Sequence, residues 1–179
     1  MAAVTLSRAY TRPSLMVFSL TEPVEGTGAN AGKWDFGSST PLYLTDDNRS
    51  PMSITPQRIE SKRRMIDGTM RSVHIADKMT FSTSWEALPS RKSRFNPPSD
   101  GLENTITSDS FGAGQEIKDW YDANFSDFWM LLVYDVDVAD SPVSGIEKYN
   151  VFFDDFSYDI VKRGQFNDLW DVSISLVEV

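Results

Sequence analysis

The chain has 179 residues, 40% apolar, 24% charged and 12% aromatic, with no cysteine and one histidine. These figures predict one folded domain, with at most a small appendage. They exclude global disorder, disulfide stapling, zinc sites of the Cys/His kind, and Ser-His-Asp or Cys-His catalysis unless His74 is the base.

The net charge of −9 is unevenly spread. Residues 1–99 carry 13 Lys and Arg against 9 Asp and Glu, whereas residues 100–179 carry 4 against 17. So acidic a surface repels nucleic acid and argues against a DNA-binding role based on phosphate neutralisation. The opposite polarity of the two halves suits self-assembly, a basic segment of one copy docking on an acidic face of the next. The start, MAAVTLSRAY, lacks the apolar stretch of a secretory signal, which makes the cytosol the default compartment. The longest apolar run, 128–134, falls short of the roughly 20 residues of a spanning helix, so no membrane insertion is expected.

In chain order, residues 1–56 read as an extended, loop-rich N-terminal arm. Short apolar pieces at 15–20 and 41–44 are separated by EGTGANAGK and GSSTP, which fits short strands laid over a core formed elsewhere. The β-rich core domain is expected over 57–179. Residues 57–66 and 69–75 flank Asp67-Gly68, the pair that a two-residue type I′ hairpin prefers. That loop would pair Ile66 with Thr69, Arg64 with Arg71 and Lys62 with Val73. Arg58, Lys62, Arg63, Arg64, Arg71 and Lys78 populate both faces of this hairpin, so its tip points to solvent or to an acidic partner. Met79, Phe81, Thr83 and Trp85 alternate on one face of a half-buried strand, with Ala76-Asp77-Lys78 as the preceding turn and a three-stranded meander as the result.

Residues 89–112, with Pro97-Pro98, read as a long polar loop. Ile117, Trp120, Tyr121 and Phe125 have helical spacing over 114–125 and predict one amphipathic helix. Residues 128–138 form a strand buried on both faces at first and on one face later. Two antiparallel strands follow at 149–161 and 170–177, the second with Trp170, Val172, Ile174 and Leu176 inward. The adjacent aromatics Phe152-Phe153 break the alternation and predict a bulge near Asp154. The expected fold is mainly β (α+β): a β-sandwich or split β-barrel with one flanking helix, a long hairpin and long loops.

Chemistry is sparse. Asp47 with Glu60-Ser61-Lys62 has the D…ExK pattern of Mg²⁺-dependent nucleases, in which two carboxylates hold the metal and the lysine assists water. The basic run around Lys62 fits a solvated strand face better. Asp135, Asp137 and Asp140, and Asp154, Asp155 and Asp159, are clustered carboxylates without a Gly-bearing Ca²⁺ loop, and read as an acidic face. His74 is given no role. Trp120, Tyr121, Trp129 and Trp170 read as core aromatics rather than a stacking platform. No catalytic residue, cofactor or metal is assigned.

The order of parts, a basic hairpin, a half-buried strand, a long loop, the DWYDANF helix, FWMLLVYDV, then YNVFFDDFSYDIVKR and LWDVSISLVEV, resembles structural proteins of tailed-phage tails, especially tail-tube and distal-tail (hub) subunits. The resemblance covers about 57–179. It implies a structural virion protein, not an enzyme, that assembles in the host cytoplasm and forms hexameric, stacked rings with itself. It also implies contact with other tail proteins and an acidic lumen through which DNA passes without specific binding. Hub, terminator and other adaptor roles are the alternatives, with a metal-dependent nuclease behind them. In this frame Arg58, Lys62, Arg63, Arg64 and Arg71 form the assembly interface.

Overall fold

Residues 4–5, 15–27, 33–93, 106–107, 111–133, 146–164 and 167–179 are described in a computed structural model of the chain. Their strands are β1 (Val4–Thr5), β2 (Leu15–Ser19), β3 (Val24–Glu25), β4 (Lys33–Asp35), β5 (Leu42–Leu44), β6 (Ser53–Arg64), β7 (Met70–Pro89), β8 (Phe128–Val133), β9 (Ile146–Lys162) and β10 (Leu169–Glu178); the helix is α1 (Gly114–Ala123). Seven strands form one antiparallel sheet in the order β5-β2-β8-β9-β10-β7-β6, and β1-β4-β3 form a second, small one. The mainly β class with one flanking helix is therefore as expected. The large sheet is curled and open, with β5 and β6 as its edges. In a flat sheet β5 and β7 would lie about 24 Å apart, yet the Trp85 indole in β7 donates at 2.9 Å to the carbonyl of Thr45, the residue after β5.

Alternation decides which side chains fill the concave face. Trp170, Val172, Ile174 and Leu176 of β10 are buried there with Phe81 and Trp85 of β7 and Phe128, Met130 and Leu132 of β8. The helix closes this side. Ile117 is fully buried, and the Trp120 ring lies 6.0 Å from Phe18 and 5.9 Å from Phe128. Glu116 accepts from the Ala113 N–H at 3.0 Å, satisfying one donor at the helix start. On the opposite face, Trp34 and Phe36 cover Val17, Leu131 and Val133. Burial on both faces explains why FWMLLV is a continuous apolar run instead of an alternating one.

Several expectations change. Residues 15–19 and 42–44, read as parts of an extended arm, are strands of the large sheet, and Met16, Val17 and Phe18 are fully buried. No turn occurs at Ala76-Asp77-Lys78; β7 runs through it, with Asp77 opposite Arg58 and Lys78 opposite Gln57. A strand solvated on both faces needs no apolar alternation, and its polar triplet mimics a turn. The helix ends at Ala123, where the Asn124 amide and side chain both donate to the Trp120 carbonyl. Phe125 is consequently 93% exposed rather than packed on the sheet. The bulge near Asp154 is present: Ser175 pairs with Asp155 and Leu176 with Phe153, leaving Asp154 unpaired. Residues 94–105 of the long loop and 134–145, with Asp135, Asp137 and Asp140, lie outside the described residues.

Gly114 opens the helix where a Cβ would come within 2.8 Å of the Trp170 ring. Gly114 is the first helical residue, where the gain of about 1 kcal/mol that alanine has over glycine in a helix interior is only partly realised, whereas overpacking a core costs typically 1–3 kcal/mol. Gly114→Ala should thus lower stability by about 1–2 kcal/mol in a denaturant titration; an unchanged or higher midpoint would mean that α1 is not seated on Trp170.

Candidate assembly surface

β10 pairs with β7 only from Pro89 to Thr80. Beyond Thr80, the one described neighbour of β7 is β6, so both strands leave the body as a two-stranded arm. Its turn spans five residues, not two. Gly68 N–H donates to the Met65 carbonyl at 2.9 Å and Met65 N–H to the Thr69 carbonyl at 2.8 Å. Gly68 takes φ +82°, and Asp67 is not in the left-handed region. Its carboxylate instead accepts from the Thr69 amide at 2.9 Å and hydroxyl at 2.6 Å, which favours a type I turn closed by a glycine bulge over type I′. The register near the tip moves by one, to Arg64 with Met70, Arg63 with Arg71 and Lys62 with Ser72. This replaces the pairings expected for Ile66, Arg64 and Lys62. A bulge at Ile75, between the Ile59–Ala76 and Glu60–His74 pairs, absorbs the slip nearer the body.

Residues opposed across the ladder share a face, so the arm has two distinct sides. One carries its own counter-charges. Arg58 Nε and His74 Nε2 each lie 3.1 Å from Asp77 Oδ1, Lys62 Nζ lies 2.5 Å from Glu60 Oε1, and the Ser72 hydroxyl donates to Glu60 Oε2 at 2.6 Å. Lys62 first and Ser72 second hold the Glu60 carboxyl below its ordinary range, as His74 and then Arg58 do for Asp77.

The other side groups Ser61, Arg63, Met65, Arg71 and Val73. There Arg63 faces Arg71 directly, a like-charge pair that destabilises an isolated ladder. Among the described residues, Arg63, Arg64 and Arg71 have no carboxylate partner. Exposed apolar side chains accompany them: Ile59, Met65, Val73 and Ile75, with Ile66 fully exposed at the tip.

All five residues assigned to assembly from sequence lie on this arm. Arg58 and Lys62 are occupied by intramolecular ion pairs, while Arg63, Arg64 and Arg71 remain available. The exposed apolar residues of IESKRRMI and TMRSVHI share the arm with these charges, without the alternation that would mark them in sequence.

Asp47, Glu60 and Lys62 do not converge. The turn holding Asp47 lies against β7 at Trp85, through the Arg49–Trp85 bridge. Glu60 pairs with His74, eleven residues farther along the same strand, on the order of 30 Å away. On β9, Asp155 and Asp159 share the outer face with Asp171 of β10, which stands opposite Asp159. Among the described residues no three His, Asp or Glu side chains are grouped to hold a metal ion, and no helix is long and apolar enough to cross a membrane.

No family model and no curated protein matches the chain. Among solved structures it is similar to a chain in the tail of an empty gene transfer agent particle with C6 symmetry, at 8% identity and a TM-score of 0.42, covering 76% of this chain and 81% of that one. A chain in the virion of a native gene transfer agent particle is similar at 8% identity and a TM-score of 0.40, with coverages of 76% and 84%.

Because the folded state lowers the pKa of Glu60 and Asp77, their contribution to the arm is present above the ordinary carboxylate range and is lost as pH falls through the lower, folded values. Backbone relaxation by NMR should show the arm loosening as pH drops below about 4, before β10 changes. An arm as rigid as β10 throughout that titration would show that these ion pairs do not order it.

Proposed function

We propose that the chain is a structural virion protein, a tail-tube-like subunit of a phage-type tail that assembles with itself into stacked, hexameric rings around a conduit for DNA. The observation that carries this reading is the arm: a free-standing hairpin with exposed apolar side chains and three arginines that have no carboxylate partner among the described residues, on a chain whose other half is strongly acidic. In a monomer, Arg63 against Arg71 is only a cost. Against an acidic neighbour the same pair becomes an anchor that sets orientation and register.

The outer face of β9 and β10 fits the conduit. Asp155, Asp159 and Asp171 stand there among Ser157, Ser173 and Ser175, a short, hydrophilic, anionic surface along which DNA slides without phosphate contacts. The arm supports the reading; the distant likeness to gene transfer agent chains adds no weight to it.

Purified protein should form rings or tubes in negative-stain microscopy, and their yield should fall with rising salt, because rim charges are screened over about 8 Å at physiological ionic strength. The double variant Arg63→Glu, Arg64→Glu should keep its circular dichroism, both residues being exposed, yet sediment as a monomer. Normal assembly of that folded variant would show the arginines to be a solvated surface and move the interface elsewhere.

A further inference from the structure

Two features with exposed apolar side chains are left uncovered by the described residues. One is the arm tip, where Ile66 is fully exposed and Met65 is 43% exposed. The other is a groove of about 420 Å³ between the end of α1 and the start of β9, lined by Tyr121, Phe125, Phe152, Phe153 and Val179 together with the polar Asn124, Ser126 and Asp127. Phe125 is 93% exposed there and Phe152 41%. Single exposed apolar residues are ordinary; a protruding knob and an aromatic hole on one chain form a complementary pair.

Their charges are complementary as well. Arg63 and Arg64 precede the tip without a carboxylate partner among the described residues. Asp127 lines the groove, and Asp154, the bulge residue, follows Phe153 directly on β9.

Knob and hole of one copy cannot meet. Lys78 Nζ donates to the carbonyl of Val179, a groove residue, so the groove lies at the root of the arm. From Lys78, β7 runs outward unbroken to Met70, which puts the tip roughly 25 Å beyond the groove. A tip that fills this groove belongs to another molecule.

We infer that the groove between α1 and β9 is the receptor for the arm tip of a second copy, Ile66 entering among Phe125, Phe152 and Tyr121 while Arg63 and Arg64 meet Asp127 and Asp154. The inference rests on the self-assembly proposed above and names its contact. Knob and hole lie at different places on the chain, so each copy can give a tip and receive one, the arrangement from which rings and stacks are built.

The absence of cysteine makes the contact directly testable. A chain carrying Ile66→Cys is mixed with a size-tagged chain carrying Phe125→Cys and oxidised, with Ser53→Cys replacing Phe125→Cys as the control. Selective formation of the Ile66–Phe125 linked dimer is expected. Ile66→Asp and Phe125→Asp, each at an exposed position, should weaken association about 10- to 100-fold in sedimentation, in line with burial of one large apolar side chain. If the wild type associates but both Asp variants associate equally well and the thiols link no better than the control, this contact is wrong and the proposal of self-assembly survives. A wild type that stays monomeric at every concentration and salt overturns both.

Discussion

The curl of the large sheet is the constraint on which the rest depends. It brings the chain leaving β5 against β7, where the Trp85 indole meets the Thr45 carbonyl and Ser50 N–H donates to Ser84 O at 2.8 Å. Rolled this way, the concave face wraps a core of aromatic and aliphatic side chains that one short helix suffices to close. A flat sheet with the same strands would leave that face half covered, and α1, with Ile117 as its fully buried side chain, could not cover it alone.

Curling so long a sheet requires control of side-chain phase, and bulges supply it. At Asp154 the extra residue keeps Phe153 and Phe156 on the core face although they are three apart. At Glu86–Ala87 the ladder shifts between Trp85–Val172 and Leu88–Trp170, so Trp85 and Leu88 both remain buried. Ala87 takes φ +51° there, and the Asp171 carboxylate accepts its N–H at 2.8 Å. A further bulge, at Ile75, acts beyond the body and turns Val73 and Arg71 to the face of Ser61 and Arg63. It is the step that separates the side holding the Arg58–Asp77 and Lys62–Glu60 pairs from the side where Arg63 faces Arg71.

Body and arm therefore obey different rules. In the body, position is decided by burial, and a misplaced aromatic costs several kcal/mol. In the arm both faces are wet, the ladder is held by backbone pairing and local ion pairs, and side chains are free to serve contacts outside the molecule. Ion pairs occupy one face, which also carries Arg64 opposite Met70, and Arg63 and Arg71 stand with apolar neighbours on the other.

Much of the body was legible in sequence because burial writes itself into alternation. The inward set of β10, the half-buried strand around Phe81 and Trp85, the helix around Ile117 and the bulge near Asp154 all follow from spacing alone. The arm was legible only in its existence and its charge. Which arginines stay unpaired depends on a one-residue register set by the Met65–Thr69 turn and the Ile75 bulge, and hydrophobic pattern cannot fix register where neither face is buried. The place of residues 15–19 and 42–44 in the sheet, and the convergence of the end of α1 with the start of β9 into a groove, join segments distant in sequence. Only the tertiary structure decided them, because no local preference records which strand a short apolar run will pair with.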